Sequence, residues 1–414
     1  MTGKRIGIVG CGVAGMASAI ACARDGWDVT VLERFETPRP VGAGLLLQPT
    51  GLAALDALGL RADVERAGAR IAALDGRTAA GKPVLELVYA HWDAAAYGLG
   101  VHRGTLFAAL HGALQSSGAA LRLGAEITDV RAGADVTLID AAGRNHGPFD
   151  LILVADGAHS TLRDAVIAKP RAPIFPWGAL WTVRPDRHDR WGGALRQVYD
   201  GAHTMMGVLP VGRGPTSATR EVAVFWSLRR DRYAAWRAGG LDAWRAQVAR
   251  HWPAAARLLV GVTDPDELTF AIYRDVSAAP WRSGPMLLIG DAAHGTSPQL
   301  GQGANLALVD GVTIAACLRA HPNDLDAALR LFRRTRRGLT GWTQLMSRAL
   351  TPAFQSDGRV IAWARDALLR DLTRFPPIER LMLATLVGAA ALPLSPSPHL
   401  RAPANRLATA AQAS

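Results

Sequence analysis

Gly10-Cys11-Gly12-Val13-Ala14-Gly15 is the stretch whose reading decides the fold. A short apolar run with Ile6, Ile8 and Val9 leads into it. An alanine-rich helical run follows over 14–25, and a second strand with Val29, Thr30 and Val31 over 28–33. Strand, glycine turn, helix and strand within about 30 residues form the βαβ unit in which this motif holds a dinucleotide. Gly10 permits the tight turn, Gly12 keeps a Cβ away from a pyrophosphate, and Gly15 lets helix pack on strand. The helix N-terminus adds free N–H groups and partial positive charge for phosphates. Glu33 stands 18 residues beyond Gly15, at the end of the second strand. Its carboxylate is placed to accept hydrogen bonds from an adenosine ribose.

The chain has 414 residues, enough for two or three interleaved cores. It is 49% hydrophobic and 20% charged, a globular composition. The net charge of +11 invites a nucleic-acid reading. The basic residues are scattered, however, and all but Lys4, Lys82 and Lys169 are arginine, a skew that reflects codon bias more than a designed surface. The densest run, Arg333-Arg334-Thr335-Arg336-Arg337, reads as a solvated helix face, with an anionic partner site as the alternative. No nucleic-acid partner is expected. Cys11, Cys22 and Cys317 lack disulfide or metal spacing, so no metal is expected, and a reducing cytoplasm is the expected compartment. No signal peptide and no membrane-spanning run are expected.

Two further motifs lie far down the chain. Ala155-Asp156-Gly157 closes an apolar strand over 151–155 and continues as Ala158-His159-Ser160-Thr161-Leu162-Arg163. Gly290-Asp291-Ala292-Ala293-His294 closes another over 286–290, followed by Pro298 and Gly301-Gln302-Gly303-Ala304-Asn305. An Asx turn is the bland reading of each Asp-Gly or Gly-Asp pair. No second Gly-x-Gly-x-x-Gly occurs, because Leu306 stands where its third glycine would fall. Between the motifs, a strand pair is predicted over 121–130 and 136–140, and alternating runs over 195–199, 204–209 and 222–228 predict an antiparallel sheet. A helix is predicted over 305–318, and helical structure after about 325.

The three motifs, in this order and spacing, resemble the FAD-dependent aromatic hydroxylases, single-component flavoprotein monooxygenases with a para-hydroxybenzoate hydroxylase-like fold. The resemblance covers residues 5–315. It implies an α/β chain in which a Rossmann-type FAD-binding domain (1–75, 99–170 and 277–345) interleaves with an antiparallel-sheet substrate domain (76–98 and 171–276). A C-terminal helical region (346–394) and a disordered tail (395–414) complete it. The cofactor set it implies is Gly10, Gly12, Val13, Ala14, Gly15, Glu33, Arg34, Gln48, Arg103, Asp156, Asp291, Gly301, Gly303, Ala304 and Asn305. Gly42-Ala43-Gly44 through Gln48 runs beside the flavin, and Arg103 reaches toward the pyrophosphate. Asp291 holds the ribityl chain, and the helix opening at Gly303 faces the pyrimidine edge of the ring, where it favours the anionic reduced form. Pro298 sits against the ring.

The activity implied is hydroxylation of a small aromatic or quinoid compound. NADH or NADPH docks transiently and reduces FAD, dioxygen adds at flavin C4a, and the hydroperoxide delivers the hydroxyl. Trp181, Gln197, Met206 and Phe225 are candidate substrate contacts, and Tyr199 and His203 candidate bases for a phenol. Alternation lets only about half of the sheet candidates point inward. Three other readings stay open: a reductase of isoprenoid or other lipophilic compounds, a flavin halogenase whose Trp-x-Trp-x-x-Pro run is missing here, and a non-catalytic flavin carrier. The apolar stretch over 381–387 either docks internally or lies at a membrane interface. Substrate identity and oligomeric state are not legible.

Overall fold

A computed structural model describes residues 4–38, 43–133, 135–392 and 395–396. Gly42 and the tail beyond residue 396 lie outside the described residues. Its first layer is a six-stranded sheet in the order Arg282–Ser283, Met286–Leu288, Leu151–Val154, Arg5–Val9, Asp28–Leu32, Ala120–Arg122. All neighbours are parallel except the first pair. Leu151–Val154 is wholly buried, which explains a strand with no polar alternation. All three Asp- or Gly-rich motifs follow the carboxyl ends of adjacent central strands, where open α/β sheets bind ligands.

Helices Val13–Arg24 and Gly303–Ala320 pack together against this sheet. Their approach depends on Gly311: a Cβ there would lie 2.6 Å from Ala17 Cβ and 2.7 Å from Ser18 N. By length and composition Gly303–Ala320 could cross a membrane, contrary to the expectation that no helix would qualify. Two thirds of it is buried in the fold, and its apolar character serves the core.

The strand expected over 121–130 is two strands. Ala120–Arg122 joins the parallel sheet and Ile127–Ala132 a separate three-stranded one. Gly124, at φ +62°, turns the chain between them.

The second large layer is a nine-stranded mixed sheet. Its order is Thr269–Arg274, Ile174–Pro185, Glu221–Arg229, Thr204–Gly212, Gly193–Asp200, Ala69–Thr78, Gly98–His102, Gly44–Leu47, with Pro83–Val88 paired to Ala69–Thr78. It is not purely antiparallel, since Gly193–Asp200 runs parallel to Ala69–Thr78. It also takes in 44–47, 69–75 and 99–102, stretches expected in the first unit. Leu180, Val198, Met206, Val224 and Trp226 face helix Tyr233–His251 through Trp244 and Val248. Trp181, Leu195, Tyr199, Met205 and Phe225 face the other way, toward Phe354 and Leu369.

Three C-terminal helices, Leu325–Phe354, Arg359–Arg374 and Pro376–Leu386, close that second face. Leu383, Leu386 and Val387 pack with Leu85, Leu87, Leu209 and Val211, so this apolar segment docks internally. Ser395–Pro396, expected within the tail, pairs as a short strand with Ala390–Ala391. All three cysteines are free and buried.

Gly311→Val should leave the fold recognisable but cost more than about 2 kcal/mol, because the backbone of the facing helix cannot yield as a flexible side chain would. A lowered urea midpoint at unchanged m-value measures this.

Candidate functional site

The glycines of the first motif divide by what they meet. Gly10 has φ +103°, and a Cβ there would lie 2.6 Å from Ala155 O. A Cβ on Gly15 would come within 2.0 Å of Gly10 O. These two are demanded by the protein itself. Gly12 is different: a Cβ there meets nothing within 4 Å. It caps Val13–Arg24 without a side-chain hydrogen bond, so the first turn of that helix opens onto free space. That space is what a pyrophosphate would need. Glu33 is buried, and its carboxylate accepts Cys11 N at 2.8 Å and Phe35 N at 3.0 Å. It braces the glycine loop, and two of a carboxylate's roughly four acceptor sites remain. Arg34 is exposed and lies over the Phe35 ring.

Asp156 carries an orphaned acceptor. Its Oδ2 accepts Thr161 N at 3.2 Å, while buried Oδ1 has no partner among the described residues. Burial pushes its carboxyl upward, with neighbouring donors opposing. A buried acceptor without a donor at a strand's carboxyl end fits a hydroxyl-bearing ligand. Arg163, the last residue of the motif that begins at Ala155, clamps the two Asp loops together. Its Nε donates to Ala292 O at 2.8 Å and its Nη2 to Ala158 O at 3.0 Å.

Asp291 is exposed and opens a short helix to His294. Its Oδ1 lies 3.7 Å from where a Gly303 Cβ would be, at the start of Gly303–Ala320. The loop that presents it is anchored on Asp310. Asp310 Oδ2 accepts Gly290 N at 2.8 Å and His294 Nε2 at 2.6 Å, while Oδ1 accepts Arg336 Nε at 2.6 Å. Side chains of His294, Asp310 and Arg336 are 2%, 1% and 0% exposed. Burial disfavours charge on Asp310, but His294, Arg336 and the Gly290 N–H outweigh it and hold the carboxyl far below its usual range. The solvated face expected for 333–337 therefore needs correcting. Arg333, Arg334 and Arg337 are exposed, but Arg336 faces inward. Its spacing from Leu329, Phe332, Leu339 and Thr343 on the buried stripe was the available signal. His294 belongs to this brace.

The next segment is stapled as firmly. Gly301 has φ +59° and turns the chain into Gly303–Ala320. Asn305 Oδ1 accepts Gln48 N at 2.8 Å, and its Nδ2 donates to Gly301 O at 2.9 Å and Leu46 O at 3.2 Å. Its side chain is thus spent on joining two segments. Gln48, fully buried, accepts Tyr89 OH at 2.7 Å, and its Nε2 is without a partner among the described residues. Gln302 donates to Leu386 O at 2.6 Å rather than capping its own helix. The N–H groups of Gly303 and Ala304 remain at an uncapped helix start. Pro298 opens a short turn, half-buried, and Gln299 beside it donates to Gln355 Oε1 at 2.8 Å.

Of the substrate candidates, Trp181, Gln197, Tyr199 and Phe225 come together. Trp181 and Phe225 rings lie 4.8 Å apart, and Tyr199 OH donates to Gln197 Oε1 at 3.0 Å. Met206 does not join them, because strand alternation turns it to the opposite face with Trp226. His203 does not either. The Asp200–Thr204 pairing leaves it in a hairpin turn, exposed, 3.9 Å from the Asp200 carboxylate. Tyr199 is 1% exposed, and burial pushes its phenol upward against the opposing charge of Arg365. Its hydroxyl proton is engaged on Gln197. Tyr273 was not anticipated. Its OH accepts Trp181 Nε1 at 3.0 Å, burial raises its phenol to about 12, and the charge of Arg103 opposes that rise. Arg103 thus lies by the sheet, with its backbone N–H on Ala43 O at 3.0 Å. Among the described residues no His, Cys, Asp and Glu group could hold a metal.

A parallel sheet with a bare glycine cradle, two clamped Asp loops and an uncapped helix start defines a dinucleotide-binding flavoprotein class. A family model described as FAD binding domain matches residues 4–331. A 3-amino-4-hydroxybenzoate 2-monooxygenase of Streptomyces cremeus is 30% identical over 365 residues, 84% of this chain and 87% of that protein. Aurachin C monooxygenase/isomerase of Stigmatella aurantiaca is 28% identical, covering 89% and 94%. The crystal structure of Klebsiella pneumoniae HpxO complexed with FAD and uric acid shares the fold at TM-score 0.78 and 22% identity, over 93% of this chain and 97% of that one. The chain belongs to the FAD-dependent aromatic hydroxylases and is an FAD-dependent monooxygenase. The relatives favour oxygen transfer over the reductase and halogenase readings.

Gly12→Val should fold with near-normal stability yet lose FAD, since only the ligand needs that space; an unchanged melting curve with colourless protein is the expected pair. Asp310→Asn should cost about 3–5 kcal/mol, because Arg336 is left buried without its countercharge. Denaturant titration together with the flavin-to-protein absorbance ratio measures both effects.

Proposed function

We propose that this chain hydroxylates a small aromatic or quinoid ring, with NADH or NADPH as transient reductant and dioxygen as the oxygen source. The observation that carries this reading is the convergence of the three motif loops at one end of the parallel sheet, beside the Trp181–Phe225 face of the mixed sheet. In this reading the unit formed by 1–75, 99–170 and 277–345 carries the cofactor, and 76–98 with 171–276 presents the substrate. FAD supplies the two-electron and oxygen chemistry when bound.

The chain's own residues bind, orient and shield. Gly10, Gly12, Val13, Ala14 and Gly15 cradle the pyrophosphate, and Arg103 adds positive charge. Glu33 and Arg34 lie toward the adenosine, and Asp156 and Asp291 take hydroxyl groups. Gln48 offers its spare amide N–H. The uncapped start at Gly301, Gly303, Ala304 and Asn305 favours negative charge nearby. Pro298 lines the reaction side. Trp181 and Phe225 supply flat apolar surface, while Gln197, Tyr199 and Tyr273 supply neutral hydrogen-bonding groups. A ring already rich in electrons, such as an amino- or hydroxy-substituted one, suits this lining. A reducing cytoplasm suits three free cysteines.

The deciding experiment records the visible spectrum and then NADH and NADPH oxidation in air with phenols, aminophenols and quinolones. Flavin bands near roughly 375 and 450 nm, with oxidation accelerated by one ring compound and one ¹⁸O atom from ¹⁸O₂ in the product, are expected. Accelerated oxidation with no labelled product would overturn the reading.

A further inference from the structure

Gln355 closes helix Leu325–Phe354 and is 4% exposed. Only half of its amide is used. Oε1 accepts Gln299 Nε2 at 2.8 Å, whereas Nε2 is buried with no partner among the described residues. A buried donor left unpaired costs free energy comparable to a lost hydrogen bond, so it calls for an acceptor. Because Gln299 occupies the oxygen, what Gln355 has left to offer is N–H alone.

The place of this amide gives it a use. Ser347, Thr351 and Gln355 recur every four residues and share one face of the helix end, and Gln355 N still donates to Thr351 O at 2.7 Å. That face holds the turn around Pro298 on both sides. Before the proline, Ser297 Oγ lies 2.8 Å from both Ser347 Oγ and Thr351 Oγ1; after it, Gln299 meets Gln355. The adjacent face carries Leu350 and Phe354 to the mixed sheet. There the Phe354 ring lies 5.2 Å from that of Tyr199, in one cluster with Phe225 and Trp181. Just beyond, Ser356 N donates to Ala202 O at 3.0 Å. The end of one helix thus joins the Pro298 turn to the Trp181–Phe225 face, and Gln355 sits at the junction. Around it the Ser297, Ser347 and Thr351 hydroxyls pair with one another, and Arg365 is spent on Ala353 O and Gly201 O, while Gln355 Nε2 is left over. We propose that Gln355 determines substrate specificity: its free amide N–H donates to an acceptor oxygen on the substrate ring, such as a carbonyl, and Gln299 holds the amide in that orientation. This deepens the hydroxylase reading and rests on it for the place of the ring, between the Pro298 turn and the Trp181–Phe225 face.

The test titrates the FAD-loaded protein with paired ring compounds and reads Kd from the change in flavin absorbance. The pairs are para-hydroxyacetophenone against para-ethylphenol, and para-aminoacetophenone against para-ethylaniline; the members of each differ by the carbonyl oxygen. In the unaltered chain the carbonyl member should bind at least about tenfold more tightly. Gln355→Met keeps the length of the side chain and removes the donor. The preference should disappear in it, through weaker binding of the carbonyl member alone, while flavin content stays unchanged. Gln299→Met, at a half-buried position, leaves the amide in place but unpinned, and should reduce the preference in part. It decides the matter where Gln355→Met does not hold FAD. A preference absent from the unaltered chain, or undiminished in either variant, would overturn the proposal, as would equal weakening of both members of a pair. Selective binding through Gln355 with no oxygen transferred to any ring compound would instead sink the hydroxylase reading and leave the amide as a binding group.

Discussion

The buried carboxylate of Asp310 is the interaction on which the rest of this structure depends. It sits inside helix Gly303–Ala320 and reaches three places at once: the Gly290 N–H, the His294 ring and the Arg336 guanidinium. Through them it fixes the loop carrying Asp291 to one helix and that helix to the next. A buried ion pair is weak evidence for stability, because desolvation consumes much of the Coulombic gain. Its value here is geometric. Apolar contacts tolerate small shifts, whereas three charge-assisted hydrogen bonds on one carboxylate permit one arrangement.

The same device recurs around the site. Arg163 ties one Asp loop to the other. Asn305 ties the helix start to the strand before Gln48. Gln302 ties that start to the C-terminal helices. Each staple uses a buried polar side chain against a backbone group that would otherwise go unpaired. These loops are therefore held by the protein itself, which lowers the ordering cost of any binding there. By contrast, the groups left without partners, Asp156 Oδ1 and Gln48 Nε2, lie among these fixed loops.

The mixed sheet shows where local pattern stops being informative. Trp181, Phe225, Met206 and Trp226 look alike in sequence, each an apolar residue in an alternating run. Met205 and Met206 are neighbours, yet one faces Phe354 and the other Trp244. A one-residue change of phase reverses every side chain. Tyr273 and Arg103 are 170 positions apart in a single sequence, and nothing local marks the phenol as lying near that charge.

The sequence by itself determined the parallel βαβ frame, the cofactor class and the three loops, because glycine geometry, strand periodicity and motif spacing are local properties of the chain. It also carried a trace of Arg336, in its place on an apolar helical stripe. Only the tertiary structure decided which sheet face receives Trp181 and Phe225, that His203 lies in an outer turn, that Ala69–Thr78 and Gly44–Leu47 enter the second sheet, and that Asp310 joins three segments. Those facts depend on register and on contacts between residues far apart in the chain. The burial that makes them matter exists only once the layers have packed.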